Sequence, residues 1–154
     1  MPSLESLQPE EIEFLRWIGC FTLPPQPLQE ALIKAYFHYC HSFEPVLDPQ
    51  EFFNAYSKGQ LCLLLLWSVF MCVATVSSLL LRRKTYTLTC QFVEDSLFLI
   101  NLFQYPLTFK RNAFQRAKTL YDADYEKNKI TLIQTVFLMG HFYADAEDRL
   151  GPWH

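Results

Sequence analysis

The feature that most limits what this chain can fold into is a run of twenty-one residues, 61–81, without a charged side chain. Lys58 stands just before the run, and three basic residues, 82–84, follow it directly. A run of this length and flanking charge suits either one membrane-spanning helix or a helix buried inside a helical domain. Four hydroxyl side chains lower its tendency to insert, and other apolar helices of the chain need a partner to cover them. The sequence therefore favours a buried core helix, with a single membrane span near 61–81 as the alternative.

Prolines and acidic residues mark the starts of further helices. Proline is tolerated in a first turn, and carboxylates stabilise the positive end of the helix dipole, as at Pro9, Glu10 and Glu11. Nine prolines against four glycines fit such helices better than a turn-rich β protein. The predicted fold is all-α, an irregular multi-helix array that is an incomplete helical domain. Its predicted helices cover residues 9–19, 27–41, 48–56, 60–76, 92–101 and 110–122, followed by a last helix capped by Asp124 or Asn128.

The last helix is apolar around most of its circumference. One side carries residues at spacings of three and four, and an adjoining side carries a second apolar set. A helix of this kind is expected to be buried among several others. The two sets are Ile130, Ile133, Val136, Phe137, Gly140 and His141, and Leu132, Thr135, Met139 and Tyr143.

Residues 77–91 interrupt the helical pattern, because they are rich in threonine and leucine and show no helical stripe. Two hypotheses stay open. The segment is a true insertion that forms a surface loop or short strand. Alternatively, it is a retained intron, since Val76 with Ser77 and Gln91 could be encoded by splice-site-like sequences. Sequencing the spliced transcript separates the two.

Charge and cysteine content exclude several functions. The formal net charge is −3 and the pI is about 5.8, whereas a chain that grips nucleic acid by itself usually has a basic surface. The five cysteines are irregularly spaced and form no CxxC pair, which argues against a zinc cluster or a redox dithiol. Buried free thiols in a reducing compartment are expected instead. The cysteines are Cys20, Cys40, Cys62, Cys72 and Cys90.

Three groups of residues are candidates for catalytic or metal sites. His38, Cys40 and His41 lie within one helical turn, but no second pair stands at metal-ligand spacing. The acids at 145, 147 and 148 suggest acid–base chemistry, yet they lie beside Arg149 on a predicted exposed loop. His141 fits a core histidine better than a general base. No phosphate loop, dinucleotide fingerprint or nucleophile motif is present. We therefore expect no enzyme activity, no catalytic, metal or cofactor-binding residue and no cofactor.

Two basic clusters were considered for nucleic-acid contact. Arg82, Arg83 and Lys84 suit a weak nuclear-import patch or a membrane stop signal. The second cluster fits the solvated face of an amphipathic helix, with its apolar residues turned inward. Neither cluster has interleaved aromatic side chains, so direct nucleic-acid binding is disfavoured. The second cluster consists of Lys110, Arg111, Arg116 and Lys118, and the inward set of Ala113, Phe114, Ala117, Leu120 and Tyr121.

Several separate blocks of the chain agree in order and spacing with one known family, which is more specific than any one short motif. The blocks are Arg116-Ala-Lys-x-Leu-Tyr-Asp, Leu132-Ile-Gln, Leu138-Met-Gly and Glu147-Asp-Arg-x-Gly-Pro-Trp-His, and upstream Pro9-Glu-Glu-Ile-Glu-Phe-Leu-Arg, Leu23-Pro-Pro, Ala35-Tyr-Phe and His41-x-Phe-x-Pro-Val-Leu. These blocks resemble the middle homology region of fungal binuclear-zinc-cluster transcription factors, and they are most similar to the cutinase transcription factor beta group.

The resemblance implies that residues 1–154 are part of a regulatory domain in a nuclear transcription regulator. In that family a zinc cluster reads DNA, and this chain contains neither the cluster nor the helices that follow the matched region. DNA contact is therefore expected only through a zinc cluster absent from this chain. The middle region is thought to restrain activation, respond to signals and support assembly, so regulatory protein partners or self-association are expected. A membrane partner and a ligand-sensing helical module with an aromatic-lined cavity are the alternatives.

An incomplete domain leaves apolar faces uncovered, which predicts self-association or aggregation of the isolated chain. Ten residues are predicted to hold it together by packing and not by catalysis. They are Trp17, Tyr36, Phe43, Leu64, Trp67, Phe114, Leu120, Ile133, Phe137 and Trp153.

Overall fold

The computed structural model describes residues 7–41, 45–82 and 106–140. These residues form α-helices and one π-helical turn, with no strand among them, so the predicted all-α class is confirmed. The predicted helix over 92–101 lies outside the described residues. The elements are α1 (Pro9–Ile18), α2 (Gln26–Ala35) with the π turn Tyr36–Cys40, α3 (Pro49–Ser57), α4 (Leu63–Arg82), α5 (Pro106–Asp122) and α6 (Lys129–Gly140).

Local hydrogen bonds explain where the helices begin. Before α1, the backbone N–H of Gln8 donates to Glu11 Oε2 at 3.0 Å, which is half of a capping box. Asp48 Oδ1 accepts from the backbone N–H of Gln50 at 2.9 Å and caps α3 as predicted. Asn128 caps α6, because its Oδ1 accepts the N–H of Ile130 at 2.9 Å. Of the two caps predicted for the last helix, Asn128 is therefore the correct one.

The predicted end of α4 and the predicted start of α5 were wrong, and the predicted second helix contains a π turn. Helix α4 continues to Arg82, well past the predicted end at residue 76, so the first residues of the proposed 77–91 insertion are helical. Residues 83–91 lie outside the described residues. Helix α5 begins at Pro106 and not at residue 110. Proline suits the first position of a helix, because its φ angle is already helical and the N–H that it lacks would have no partner within the helix there. Helix α2 passes into a π turn, closed by the N–H of His41 donating to Tyr36 O at 3.0 Å.

Helix α4 is the centre of the domain. Every side chain from Cys62 to Thr75 is buried, because α5, α6 and α2 with its π turn pack around it. The buried hydroxyls are satisfied within the helix: Ser68 Oγ donates to Leu64 O at 2.8 Å, and Thr75 Oγ1 donates to Met71 O at 3.0 Å. The predicted core helix is thereby confirmed. Among the described residues, no helix combines the length and apolar character that crossing a bilayer requires.

Trp67 joins α4 to two other helices. Its Nε1 donates to the backbone oxygen of Cys20 at 2.9 Å, just after α1. The guanidinium carbon of Arg116, on α5, lies 4.6 Å from the centre of the indole ring, within cation–π range. Gly19 ends α1 with a φ of 92°, and a Cβ there would lie 3.0 Å from Arg116 Nη2. A glycine at this cap therefore permits both the left-handed turn and the close approach of Arg116.

The predicted packing residues divide into three groups. Tyr36, Leu64, Trp67 and Leu120 are fully buried, and Phe114 is half-buried against the core, as predicted. Burial of Trp17, Ile133 and Phe137 was wrong, since Trp17 is 80% exposed and the other two are more than half exposed. Phe43 and Trp153 lie outside the described residues.

The exposed residues share one physical cause, which is that α1 and α6 are each covered on one side. Helix α1 buries Leu15 and turns Trp17 outward. Helix α6 buries only Thr135 and Leu138, so its predicted burial on all sides was wrong. An apolar sequence permits burial, but a neighbouring helix is needed to provide it.

Candidate functional site

The histidines and cysteine weighed as metal ligands belong to the π turn and its end. The His38 side chain is exposed, whereas the His41 ring packs against Phe37 with their centroids 5.4 Å apart. Burial raises the pKa of Cys40 from 9.0 to about 12, which disfavours the thiolate that binds a metal. Within the described part of the chain, no group of three or more His, Cys, Asp or Glu side chains could hold a metal ion. His141 and the acidic loop at 145–148 lie outside the described residues.

The second basic cluster is dispersed in the fold. Lys110 was expected to face water, but it is fully buried, because its position on α5 faces the core. Arg116 lies over Trp67, and Lys118 pairs with Asp122 at 2.6 Å. Tyr121, expected to face inward, is exposed. These positions therefore do not form the continuous basic surface that nucleic-acid binding requires.

A groove of about 850 Å³ lies between α2, α3 and the start of α4, and it is called here the α2–α3 groove. Ile33 of α2 and Leu63 and Leu66 of α4 provide its apolar floor, and all three are buried. Glutamines, a carboxylate and a tyrosine form the polar wall. An apolar floor with a few polar groups on one wall is the usual composition of a small-molecule site. The complete lining is Leu23, Gln26, Gln29, Glu30, Ile33, Phe53, Asn54, Tyr56, Ser57, Gly59, Leu61, Leu63 and Leu66.

Hydrogen bonds fix the polar wall of this groove. The Tyr56 hydroxyl donates to Gln29 Oε1 at 3.3 Å, and Gln29 Nε2 donates to Pro24 O at 2.7 Å. Gln26 Nε2 donates to Glu30 Oε1 at 3.0 Å. Burial and the nearby Glu30 carboxylate raise the pKa of Tyr56 above its ordinary value of 10.0. The groove therefore presents a negative charge and a neutral hydroxyl beside an apolar floor, which suits an apolar ligand with a donor or cationic end.

A smaller cavity of about 340 Å³ lies between α3, the start of α4 and α6. Its buried carboxylate, Glu126, accepts the backbone N–H groups of Lys127 and Asn128, both at 2.8 Å. Burial, with Glu126 as a smaller cause, raises the pKa of Cys62 to about 12. Burial also raises the pKa of Tyr125 to about 12. Because Glu126 already holds the turn before α6, its first role is structural.

Sequence reasoning anticipated a cavity between helices but none of the residues that line it. Tyr56 and Gln29 are 27 positions apart in sequence, and neither stands in a recognisable motif. Their meeting depends on how α3 packs beside α2, which periodicity does not predict.

Comparison with known proteins identifies a matching family. A family model described as the fungal specific transcription factor domain matches residues 33–154. That range runs from the middle of α2 through α6, so it contains the whole of α4 and the helices that cover it. No solved structure matches the chain.

Curated relatives agree with the family match. Cutinase transcription factor 1 alpha of Fusarium vanettenii is 35% identical over 149 residues, which cover 94% of this chain and 14% of that protein. Cutinase transcription factor 1 beta of the same fungus is 29% identical over 151 residues, with 94% and 15% covered. A transcription factor of Fusarium pseudograminearum is 28% identical over 157 residues, with 99% and 16% covered. The chain thus spans about a seventh of the length of these relatives.

Proposed function

Because this chain belongs to the fungal specific transcription factor domain family, we propose that it acts as part of the regulatory domain of a nuclear transcription regulator. The observation that carries the proposal is the family match, which covers α4, the α5 and α6 helices that pack on it, and the end of α2 with its π turn. The relatives are transcription factors and not enzymes. A modulating role, in which the helical array changes the output of an attached DNA-reading module, fits these relatives best.

The charge distribution supports regulation in preference to DNA contact by this chain. The net charge is −3, and three of the four basic residues of α5 are engaged: Lys110 is buried, Arg116 lies over Trp67 and Lys118 pairs with Asp122. DNA affinity depends on clustered cations that release counterions from phosphates. In a full-length regulator, DNA recognition would therefore come from a zinc cluster outside these residues, as the family resemblance implies.

A reporter assay tests the regulatory role. Residues 1–154 are placed between a heterologous DNA-binding module and a strong activation domain in a fungal cell. We expect reporter expression to fall several-fold relative to the same fusion with an inert linker of equal length. Trp67→Ala, which removes the side chain that joins α1, α4 and α5, should relieve that restraint, whereas Trp17→Ala should keep it. Equal expression with chain and linker, at equal protein levels, would contradict the proposal.

Nuclear localisation is tested separately with a fluorescent fusion of the chain in a fungal cell. We expect enrichment in the nucleus, and a triple substitution of Arg82, Arg83 and Lys84 to alanine tests whether these residues direct import. A fusion that stays in the cytoplasm even when attached to the heterologous DNA-binding module would count against a nuclear role.

The α2–α3 groove supports a second function, the sensing of a small ligand. Its volume and its mixture of apolar floor and fixed polar wall are those of ligand sites. An amphiphilic amine with an apolar body fits the Glu30 carboxylate and the buried leucines. Screening such amines by thermal shift should reveal stabilisation of the chain that is lost in Glu30→Gln, which removes the carboxylate of the groove. The matched control Glu13→Gln, an exposed acid on α1 that does not line the groove, should keep the response. No shift with any amine at millimolar concentration argues against this function.

Assembly is the remaining element of the proposed function. Regulatory protein partners or a second copy of the chain would bind through the apolar side chains that the fold leaves exposed on α1 and α6.

A further inference from the structure

Helix α1 carries an aromatic and acidic face on the side away from the core. Phe14 is 53% exposed and Trp17 is 80% exposed, and their rings lie 6.4 Å apart in a stacked arrangement. At 100° per residue, Glu10 and Glu13 project on the same side as these rings, opposite the buried Leu15. Both carboxylates belong to exposed residues. The name acidic face is used below for Glu10, Glu13, Phe14 and Trp17.

Helix α6 carries an aliphatic face with a positive start. Ile133 is 57% exposed and lies about 140° around the helix from the buried Leu138, and Phe137 is 60% exposed and lies about 100° from it. The exposed Lys129 is the first residue of the helix, where the helix dipole adds further positive charge. The name basic face is used below for Lys129, Ile130, Ile133, Val136 and Phe137.

The two faces have matching spacings and opposite charges. On α1, a carboxylate is followed after four and seven residues by aromatic rings, at positions 10, 14 and 17. On α6, an ammonium is followed after four and seven residues by aliphatic side chains, at positions 129, 133 and 136. If the helices run in the same direction, the charges meet at their first turns and the apolar groups meet one and two turns later.

We propose that the acidic face of α1 binds the basic face of α6 in a second copy of this chain. Within one chain, α1 packs on α5 and α6 packs on α4 through their opposite sides, so both faces point away from the core. Each copy offers one face of each kind. Two copies related by a two-fold axis form the α1–α6 contact twice and close into a dimer, whereas copies without that axis form it head-to-tail and give a short oligomer. This inference deepens the assembly part of the proposed function and rests on it.

The size of the faces sets the strength of the contact. One helix on each side provides less than the ~800 Å² per partner that is typical of stable complexes. The association is therefore weak and reversible, and it depends on salt because its charged residues stay near solvent.

Charge reversal provides the test, with sedimentation velocity of the full 154-residue chain as the readout. One variant carries E10K and E13K, and the other carries K129E. Each alone opposes like charges across the contact, so its self-association constant should fall about tenfold. When the two variants are mixed, each face meets an opposite charge again, and association should return. Glu11 is left unchanged because it holds the start of α1.

The matched control is K58E, which reverses an exposed lysine at the end of α3, outside both faces. It should leave self-association as in the unmodified chain, and circular dichroism checks that every variant keeps its helices. The proposal is overturned if the unmodified chain stays monomeric up to several hundred micromolar. It is also overturned if both variants associate normally, or if their mixture fails to recover. Because these measurements involve no reporter, failure of this contact leaves the transcription assay free to succeed or fail independently.

Discussion

Helices α4 and α6 have a similar apolar character but different environments in the fold. Both are strongly apolar, and each has few polar side chains. In α4 every side chain from Leu63 to Thr75 is buried, whereas α6 buries Thr135 and Leu138 and exposes four large apolar residues. The difference arises because several helices surround α4, while α6 packs mainly on α4 and touches α5 only slightly.

This comparison shows what apolar composition can and cannot predict. It correctly identifies a helix that needs covering, but the number of neighbours decides how much of the helix is covered. An uncovered face of four large apolar residues is uncommon on a protein that acts alone, and such faces usually mark a contact site. Helix α4 is thus the centre of the fold, and α6 is a candidate for contacts beyond it.

The largest expected effect on stability comes from Trp67, in the buried part of α4. Trp67→Ala should lower the free energy of unfolding by about 3–5 kcal/mol, because it removes a fully buried indole, its bond to Cys20 O and the surface on which Arg116 lies. Urea denaturation followed by circular dichroism measures the change. Trp17→Ala is the control, since its mostly exposed ring should contribute less than about 0.5 kcal/mol. Equal losses of unfolding free energy for the two tryptophan variants would contradict the distinction between the buried helix α4 and the partly exposed helix α1.

A second prediction compares two neighbours within α6. Leu138→Ala should cost about 2–4 kcal/mol, because the Leu138 side chain is fully buried where α6 packs on α4. Phe137→Ala should cost less than about 0.5 kcal/mol and should lower the binding of a fluorescent apolar dye. Urea titration and dye fluorescence of the two variants test this difference. If Phe137→Ala is the more destabilising change, Phe137 packs against another part of the chain, and this side of α6 is not exposed.

Alkaline pH should lower the free energy of unfolding through the buried Cys62 thiol. Burial raises the pKa of Cys62 from 9.0 to about 12, so the folded chain keeps this proton after the unfolded chain has lost it. Below about pH 8.5 both states are protonated and this thiol has no effect on stability. Above that pH its contribution falls by about 1.4 kcal/mol per pH unit. Urea denaturation between pH 8 and 10.5 should give a shallower pH dependence for Cys62→Ala than for the unmodified chain, and identical slopes would contradict the prediction.

Much of the fold follows from local chemistry that the sequence displays. The caps at Asp48 and Asn128 and the uncharged core helix were predicted because each depends on a few neighbouring residues or on a continuous pattern. The π turn after α2 was not predicted, because helical periodicity does not distinguish one extra residue in a turn. Burial of Lys110 and exposure of Trp17 were also missed. Both depend on which side of a helix faces a neighbour, and that information is tertiary.

The candidate site was less predictable than the fold. The α2–α3 groove joins residues from three helices, and its key contact between Tyr56 and Gln29 crosses 27 positions of sequence. The contact faces on α1 and α6 were visible in the sequence as apolar stripes, but the same pattern predicts burial. Only the packing of α5 and α4 on the opposite sides identifies them as exposed surfaces.

The smallest expected effect distinguishes local from tertiary stabilisation. Asn128→Ala should cost about 1 kcal/mol, because the first turn of α6 loses the side chain that accepts the N–H of Ile130. Asn128→Ser keeps an acceptor at the cap and should cost little. Since α6 is covered on one side only, we expect the alanine variant to increase amide exchange within residues 129–140 while residues 63–75 remain protected. Hydrogen exchange of the two variants measures both segments at once. If exchange rises equally in both segments, α4 and α6 unfold as one unit, and the contrast between them is one of exposure and not of local stability.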